Sequence, residues 1–164
     1  MIVLGIDPGL ERLGWAVTTE EKGQPRAIAF GCFETARTAP VEERLALLQE
    51  HVRSVIVLHH PEIMAVEKLL FQKNVKTAIV VAQARGVVLA AAAEAGLALI
   101  EQTPNAIKLA VTGYGAADKK QVQRMVQILY RLPEPPRPDD AADALAIAFA
   151  GRAAAAMLRR IGRA

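Results

Sequence analysis

Met1-Ile2-Val3-Leu4-Gly5-Ile6-Asp7-Pro8-Gly9 is the stretch on which the reading of the whole chain turns. Large apolar residues dominate its first six positions, and Ile2, Val3 and Ile6 are β-branched. A continuous apolar run closed by Pro-Gly reads as a strand buried on both faces. Asp7 then falls where the chain leaves the sheet, with an apolar floor behind it and open space ahead. Two readings of Asp7 stand level at this point. It begins an Asp-Pro-Gly turn, as Asp often does, or it is a functional carboxylate.

Outward from that strand, Leu10-Glu11-Arg12 reads as a polar turn and Leu13 to Thr19 as a second strand. Glu20 to Gly23 turns the chain into a third strand within Pro25 to Ala36. Strands joined by short turns suggest an antiparallel meander. Val41, Leu45, Leu48, Val52, Val55 and Ile56 recur at helical spacing between Pro40 and His59. Pro61 to Glu67 is a fourth strand and ends in a carboxylate, as the first did. Lys68 to Asn74 is a loop that mixes Leu69, Leu70 and Phe71 with Lys68 and Lys73. Val75 to Ala95 is helical and apolar on most sides, so it needs cover from the sheet and from something else. Leu97 to Glu101 is a fifth strand, and Thr103-Pro104 opens a short helix. Asp118 to Leu132 is an amphipathic helix. A proline-rich spacer, Pro133 to Pro138, precedes a last helix from Asp139 to about Arg160. The expected class is α/β: a five-stranded mixed sheet, first three strands antiparallel, with helices on both faces. One domain over residues 1–164 is expected, because no linker is long enough to divide it.

At 164 residues and 52% hydrophobic, the chain is long and apolar enough for a sizeable core. Its formal net charge of +3 permits a polyanionic partner without requiring one. Cys32 is the sole cysteine, which excludes an intrachain disulfide and disfavours a thiolate metal site. Cys32 itself reads as a small apolar strand residue. His51, His59 and His60 read as surface helix and loop. The N-terminus is a poor signal peptide, and the Ala-rich stretch near 86–100, broken by Glu94, reads as a buried helix and not a membrane span. No membrane association and a cytoplasmic location are expected.

The last helix opens Pro138-Asp139-Asp140-Ala141-Ala142-Asp143. Asp140 and Asp143 share a helix face at spacing three, and Asp139 faces Asp143 at spacing four. One of these carboxylates is explained as an N-cap or a dipole partner. Three are harder to explain so, and Asp7 and Glu67 could converge on the same spot. Carboxylates in one place raise each other's pKa unless a cation joins them. Oxygen-only ligands select hard cations, Mg²⁺ or Mn²⁺. Two such ions about 4 Å apart can activate water and stabilise the leaving oxygen of a phosphodiester. Lys68, Lys73, Lys76, Lys108, Lys119, Lys120 and Arg124 in the flanking segments supply the basic surface a nuclease needs.

At this point the chain resembles the RuvC family of Holliday junction resolvases. Gly5-Ile6-Asp7-Pro8-Gly9 followed by Gly14-Trp15-Ala16, Glu67 before a Phe-containing loop, Ala84-Arg85-Gly86, Lys108 before Val111-Thr112-Gly113, Lys119 with Gln121-Val122, and Asp140-Ala141-Ala142-Asp143-Ala144-Leu145 carry the resemblance. It implies a ribonuclease H-like fold and a homodimer. It implies symmetric, Mg²⁺-dependent nicking of four-way DNA junctions in recombination and repair, leaving ligatable ends, with two ions per site and Mn²⁺ able to substitute. It assigns catalysis and metal binding to Asp7, Glu67, Asp140 and Asp143, and prefers Asp140 to Asp139, a choice that helical spacing leaves open. It marks Lys108 and Lys119 as phosphate contacts. DNA contact is expected also from Phe71, stacking at the junction centre, and from Lys73, Lys76, Lys120 and Arg124. A branch-migration motor of the RuvA and RuvB type is the implied partner. Two rival readings remain. Gly5 to Gly9 also resembles the first phosphate loop of actin-like ATPases and sugar kinases, but 164 residues cannot hold two such lobes. An inert DNA-architecture protein would use only the basic surface.

Overall fold

A computed structural model describes residues 1–69 and 75–162, excepting the side chains of Val75, Lys76 and Thr77. Five strands, β1 (Val3–Asp7), β2 (Arg12–Glu21), β3 (Gln24–Glu34), β4 (Ile63–Glu67) and β5 (Ala98–Gln102), form one sheet in the order β3-β2-β1-β4-β5. β1, β2 and β3 pair antiparallel, and β4 and β5 join parallel to β1 and to one another. The helices are α1 (Val41–His59), α2 (Val75–Glu94), α3 (Pro104–Thr112), α4 (Lys119–Leu129) and α5 (Asp139–Arg160). This is the expected mixed sheet, and its fold is ribonuclease H-like.

Alternation along the central strands sorts the chain into two cores. Leu4 and Ile6 of β1, Leu13 and Val17 of β2, and Met64 and Val66 of β4 face α1 and α2. Val3, Ala16, Ile63 and Ala65 face α5, with α3 and α4 packed behind it. Val3, Leu4 and Ile6 are fully buried, so β1 is covered on both faces. Full burial of each such side chain is worth about 1.5–3 kcal/mol.

α5 lies almost flush on the sheet. A Cβ on Gly5 would sit 2.3 Å from the Ala144 carbonyl, and one on Gly14 would sit 2.1 Å from the Asp140 carbonyl. From the helix side, a Cβ on Gly151 would meet the Ala65 Cβ at 2.3 Å. α5 is long and apolar enough to cross a membrane, yet 61% of its apolar window is buried, so it serves as the central helix.

Several expectations need correction. β2 starts at Arg12, inside the expected turn, and runs to Glu21 because the hairpin closes on Lys22 and Gly23. Both turn residues have positive φ (52° and 78°), as a type I′ hairpin turn requires. α4 ends at Leu129, and the chain then turns at Arg131, with φ of 51°. The Ala-rich stretch divides into the end of α2 and the start of β5. α2 does show the two apolar faces expected of it: Ala84, Val88, Ala91 and Ala92 form its core stripe, while Ile79, Ala82, Gly86 and Ala90 line an exposed one. His51 is not a surface residue. Its ring stacks on Phe33 with centroids 4.3 Å apart and meets Trp15 edge-on at 5.7 Å. Burial lowers its pKa below the usual histidine value.

Candidate active site

The same alternation that builds the cores aims two carboxylates. Asp7 follows Val3 and Gly5, and Glu67 follows Ile63 and Ala65, so both point to the α5 face. β1 and β4 are parallel neighbours, and Asp7 and Glu67 come one step past the Ile6↔Val66 pair. Gly14 pairs with Asp7 across β1 and β2 and lies against the Asp140 backbone, which brings the first turn of α5 to the same sheet end. Arg85 of α2 holds that edge from behind. It forms an ion pair with Glu101, and its Nε donates to the Glu67 carbonyl at 3.4 Å. Lys68 N–H donates to the Gln102 carbonyl at 2.8 Å, so β4 and β5 end together.

α5 begins after Pro138 with no side-chain cap, so neither Asp139 nor Asp140 is spent on capping. Both still sit in the first turn, where the helix dipole favours negative charge. Lys119, at the start of α4, bridges the acidic turn: its Nζ is 2.7 Å from Asp139 Oδ2 and 3.1 Å from Asp143 Oδ2. α4 is set there by a capping box between Asp118 and Gln121. Arg12 of β2 approaches from the other side, with Nη1 3.4 Å from Asp140 Oδ2.

The electrostatics register this crowding. Asp7 is pushed up to about 7, by burial first and then by Asp143, Glu67 and Asp140. Burial, then Asp143, raises Glu67, while Lys108 pulls it down. Burial raises Asp143 against the opposing pull of Lys119. Lys119 holds Asp139 below the usual carboxylate range, and Lys119 is itself raised, chiefly by its bond to Asp139. Asp140 is thus among the groups acting on Asp7, and Asp139 is an exposed partner of Lys119.

A cleft of about 230 Å³ opens between α3, α4 and α5, lined by Glu67, Asp143, Lys108 and Lys119 together with Pro104, Ile107, Val122, Ala146 and Ile147. Lys120 and Arg124 are exposed on α4, and among the described residues neither forms an ion pair. Phe71, Lys73 and the side chain of Lys76 lie outside the described residues. Arg12 was hidden from sequence reading by its place in an expected turn. Extending β2 back by one residue would have found it, since Arg12 and Gly14 share a face.

The donor set suits a hard divalent cation: carboxylates only, with no sulfur or imidazole among them. Asp140 Oδ2 is buried and accepts no hydrogen bond, because Arg12 is in ion-pair range but not aligned to donate. An orphaned buried oxygen beside a carboxyl raised to about 7 is what a missing positive charge produces. Among the described residues, however, no three His, Cys, Asp or Glu side chains already stand as a metal cage. Asp143 and Asp140 instead lean on Lys119 and Arg12.

A ribonuclease H-like sheet with carboxylates at the ends of its first and fourth strands and at the start of its last helix defines a class of nucleic-acid-processing proteins. The family model for crossover junction endodeoxyribonuclease RuvC matches residues 3–151. A crossover junction endodeoxyribonuclease RuvC from Roseiflexus sp. is 49% identical over 158 residues, 96% of this chain and 94% of that one. A protein of the same description from Moorella thermoacetica is 51% identical over 148 residues, covering 90% and 89% of the two chains. The structure of T. thermophilus RuvC in complex with Holliday junction substrate superposes with a TM-score of 0.89 at 36% identity, covering 99% of this chain and 97% of that one. The chain belongs to the RuvC family of crossover junction endodeoxyribonucleases.

Proposed function

We propose that this chain resolves Holliday junctions by Mg²⁺-dependent hydrolysis of one phosphodiester in each of two opposing strands, leaving nicks a ligase can seal. The observation that carries this reading is the joint rise of Asp7, Glu67 and Asp143 beside two lysines, at one end of the sheet. Asp7, Glu67, Asp140 and Asp143 are the residues that would hold two Mg²⁺ ions, or Mn²⁺ in their place. Bound there, the cations would supply Lewis-acid activation of water and charge stabilisation at the leaving oxygen.

The chain's own groups do the rest. Asp7 must lose its proton before it can serve as a ligand, which favours neutral to alkaline pH. Lys119 can transfer its ammonium from Asp139 and Asp143 to a phosphate oxygen at the cleft mouth. Lys108, beside Glu67, offers a second ammonium to the same backbone. Lys120 and Arg124 extend the positive track along α4, where counterion release favours a DNA arm. Lys73 and Lys76 would add further phosphate contacts, and Phe71 would stack at the junction centre, an interaction worth about 1–3 kcal/mol per base.

A two-fold pair of chains suits a junction of near two-fold symmetry. The exposed stripe Ile79, Ala82, Gly86 and Ala90 supports such a pairing, since small residues let two helices approach closely. A Cβ on Gly86 would meet nothing within 4 Å among the described residues. A cytoplasmic setting and a branch-migration motor of the RuvA and RuvB type complete the proposal.

The test is a labelled synthetic four-way junction incubated with and without Mg²⁺. Paired, symmetric nicks only with Mg²⁺, and binding without cutting by Asp7→Asn, support the reading. Cleavage by Asp7→Asn at the wild-type rate overturns it.

A further inference from the structure

Arg12 does more than balance charge. Its Nε donates to Glu34 Oε1 at 3.3 Å, while its Nη1 lies 3.4 Å from Asp140 Oδ2 and 4.0 Å from Asp139 Oδ1. The guanidinium therefore spans two β-strands and the first turn of α5. Its side chain is 41% exposed, whereas the Asp140 side chain it addresses is only 21% exposed. Glu34 is anchored by register, because it pairs with Arg12 across β2 and β3. Two residues along β2, Gly14 fits under the Asp140 backbone with no room for a Cβ. Backbone and side chain of Asp140 are thus both located from β2, the one by a missing side chain and the other by a long one.

We propose that Arg12, buttressed by Glu34, is a positioning residue that holds the Asp140 carboxylate in place to receive a divalent cation. The proposal rests on the reading of the four carboxylates as a cation site. A planar guanidinium fixed at one end by Glu34 presents its charge to Asp140 from a set direction, as an ion pair without a hydrogen bond, in a way a mobile ammonium cannot. Groups that orient a ligand from behind in this manner commonly govern metal affinity.

Simple electrostatics predicts the opposite sign, which makes the idea easy to break. A cation next to a metal site repels the metal, so deleting a mere counter-ion tightens binding. Deleting a positioning residue loosens it. Mn²⁺ titration of the DNA-free protein, followed by electron paramagnetic resonance, reads this directly. Arg12→Gln is expected to weaken Mn²⁺ binding by about 10–100-fold. Glu34→Gln, which leaves every carboxylate ligand and Arg12 intact, should weaken it in the same direction by less. Arg12→Lys keeps the charge but not the fork and should fall between wild type and Arg12→Gln. Junction cleavage lost in these variants should return at raised Mn²⁺, and the melting temperature of Glu34→Gln should stay near wild type. Unchanged or tighter Mn²⁺ binding by Arg12→Gln and Glu34→Gln overturns the positioning role. Should Arg12→Gln fail to fold, Arg12→Lys and Glu34→Gln decide by the same criterion. Asp140→Asn separates the two levels of the argument. If it weakens Mn²⁺ while the Arg12 and Glu34 variants do not, the cation site stands and this proposal falls. If wild type and Asp140→Asn bind Mn²⁺ alike, both fall.

Discussion

Glu62, just before β4, and Glu67, at its far end, lie five residues apart, and their environments push them in opposite directions. Glu62 accepts the Ile2 N–H at 2.9 Å and stands 3.5 Å from the N-terminal ammonium and 3.7 Å from Arg159. That backbone bond, with the neighbouring cations, holds it below the usual carboxylate range. Glu67 faces burial and Asp143 and is raised. The ends of α5 repeat the contrast. Arg152 and Arg159 lie toward one end of the sheet, Asp140 and Asp143 at the other. At the end where β1 and β4 start, Glu62 is held by a backbone N–H and two cations; at the end where they stop, like charges are held together. A fold that only sought stability would treat both ends alike, so the second end marks where the chain gives up stability for chemistry.

Removing one member of the crowded end should have the largest effect. Asp7→Asn is expected to lower junction cleavage by ~1,000-fold or more, reflecting several kcal/mol of lost transition-state stabilisation. A single-turnover assay on a labelled junction measures this, and a loss below ten-fold would dissolve the contrast.

The next effect is on stability and depends on pH. The folded-state value of Asp7, about 7, lies above its ordinary value of 3.8, so the folded chain binds this proton more tightly. Its stabilising contribution is complete below about pH 4 and is lost as pH rises through about 7. At about 1.4 kcal/mol per unit, the loss amounts to a few kcal/mol at most. Metal-free wild type should therefore melt lower at pH 8 than at pH 5, and Asp7→Asn should flatten that slope. Thermal scans in a chelator give the answer, and an equally steep slope in the variant would assign it elsewhere.

Gly14→Ala sharpens the comparison from the backbone side. Its new Cβ would lie 2.1 Å from the Asp140 carbonyl, so α5 or β2 must move. Overpacking of this kind costs about 1–3 kcal/mol, or roughly 2–4 °C of melting temperature per kcal/mol, and cleavage should fall with it. Wild-type cleavage at a lowered melting temperature would mean that Asp140 does not need its present seat.

Glu62→Gln should do least. Glutamine keeps an acceptor for the Ile2 N–H, and the exposed, solvent-screened ion pairs it gives up are worth about 0.2–1 kcal/mol. Cleavage should be unchanged; a drop like that of a Glu67 variant would erase the distinction between the two ends.

Local pattern carried much of this into view. β1 was legible because an uninterrupted apolar run admits few alternatives, and the two strand-end carboxylates followed from where such runs stop. The acidic start of α5 was visible, but spacing alone could not rank Asp139 against Asp140. The resemblance prefers Asp140, and the structure adds only where the two sit: Asp139 is exposed on Lys119, and the Asp140 backbone lies against Gly14. Arg12 and His51 were misread for one reason. Each makes its defining contact across strands or between helix and sheet, with Glu34 in one case and Phe33 in the other. Such contacts depend on register, which a single sequence does not display. For α2, hydrophobicity showed that two faces were apolar but not which one faced the core.

The flush seating of α5 on β1 and β2 has a consequence for heredity. Where a glycine meets a carbonyl directly, main chain rests on main chain, and no side chain intervenes as a shim. The distance from strand end to helix start is then set by backbone thickness, a quantity that substitutions elsewhere do not alter. Core side chains can be exchanged one for another over long divergence, and the cost appears as melting temperature. The chemistry keeps its gauge as long as those few glycines do.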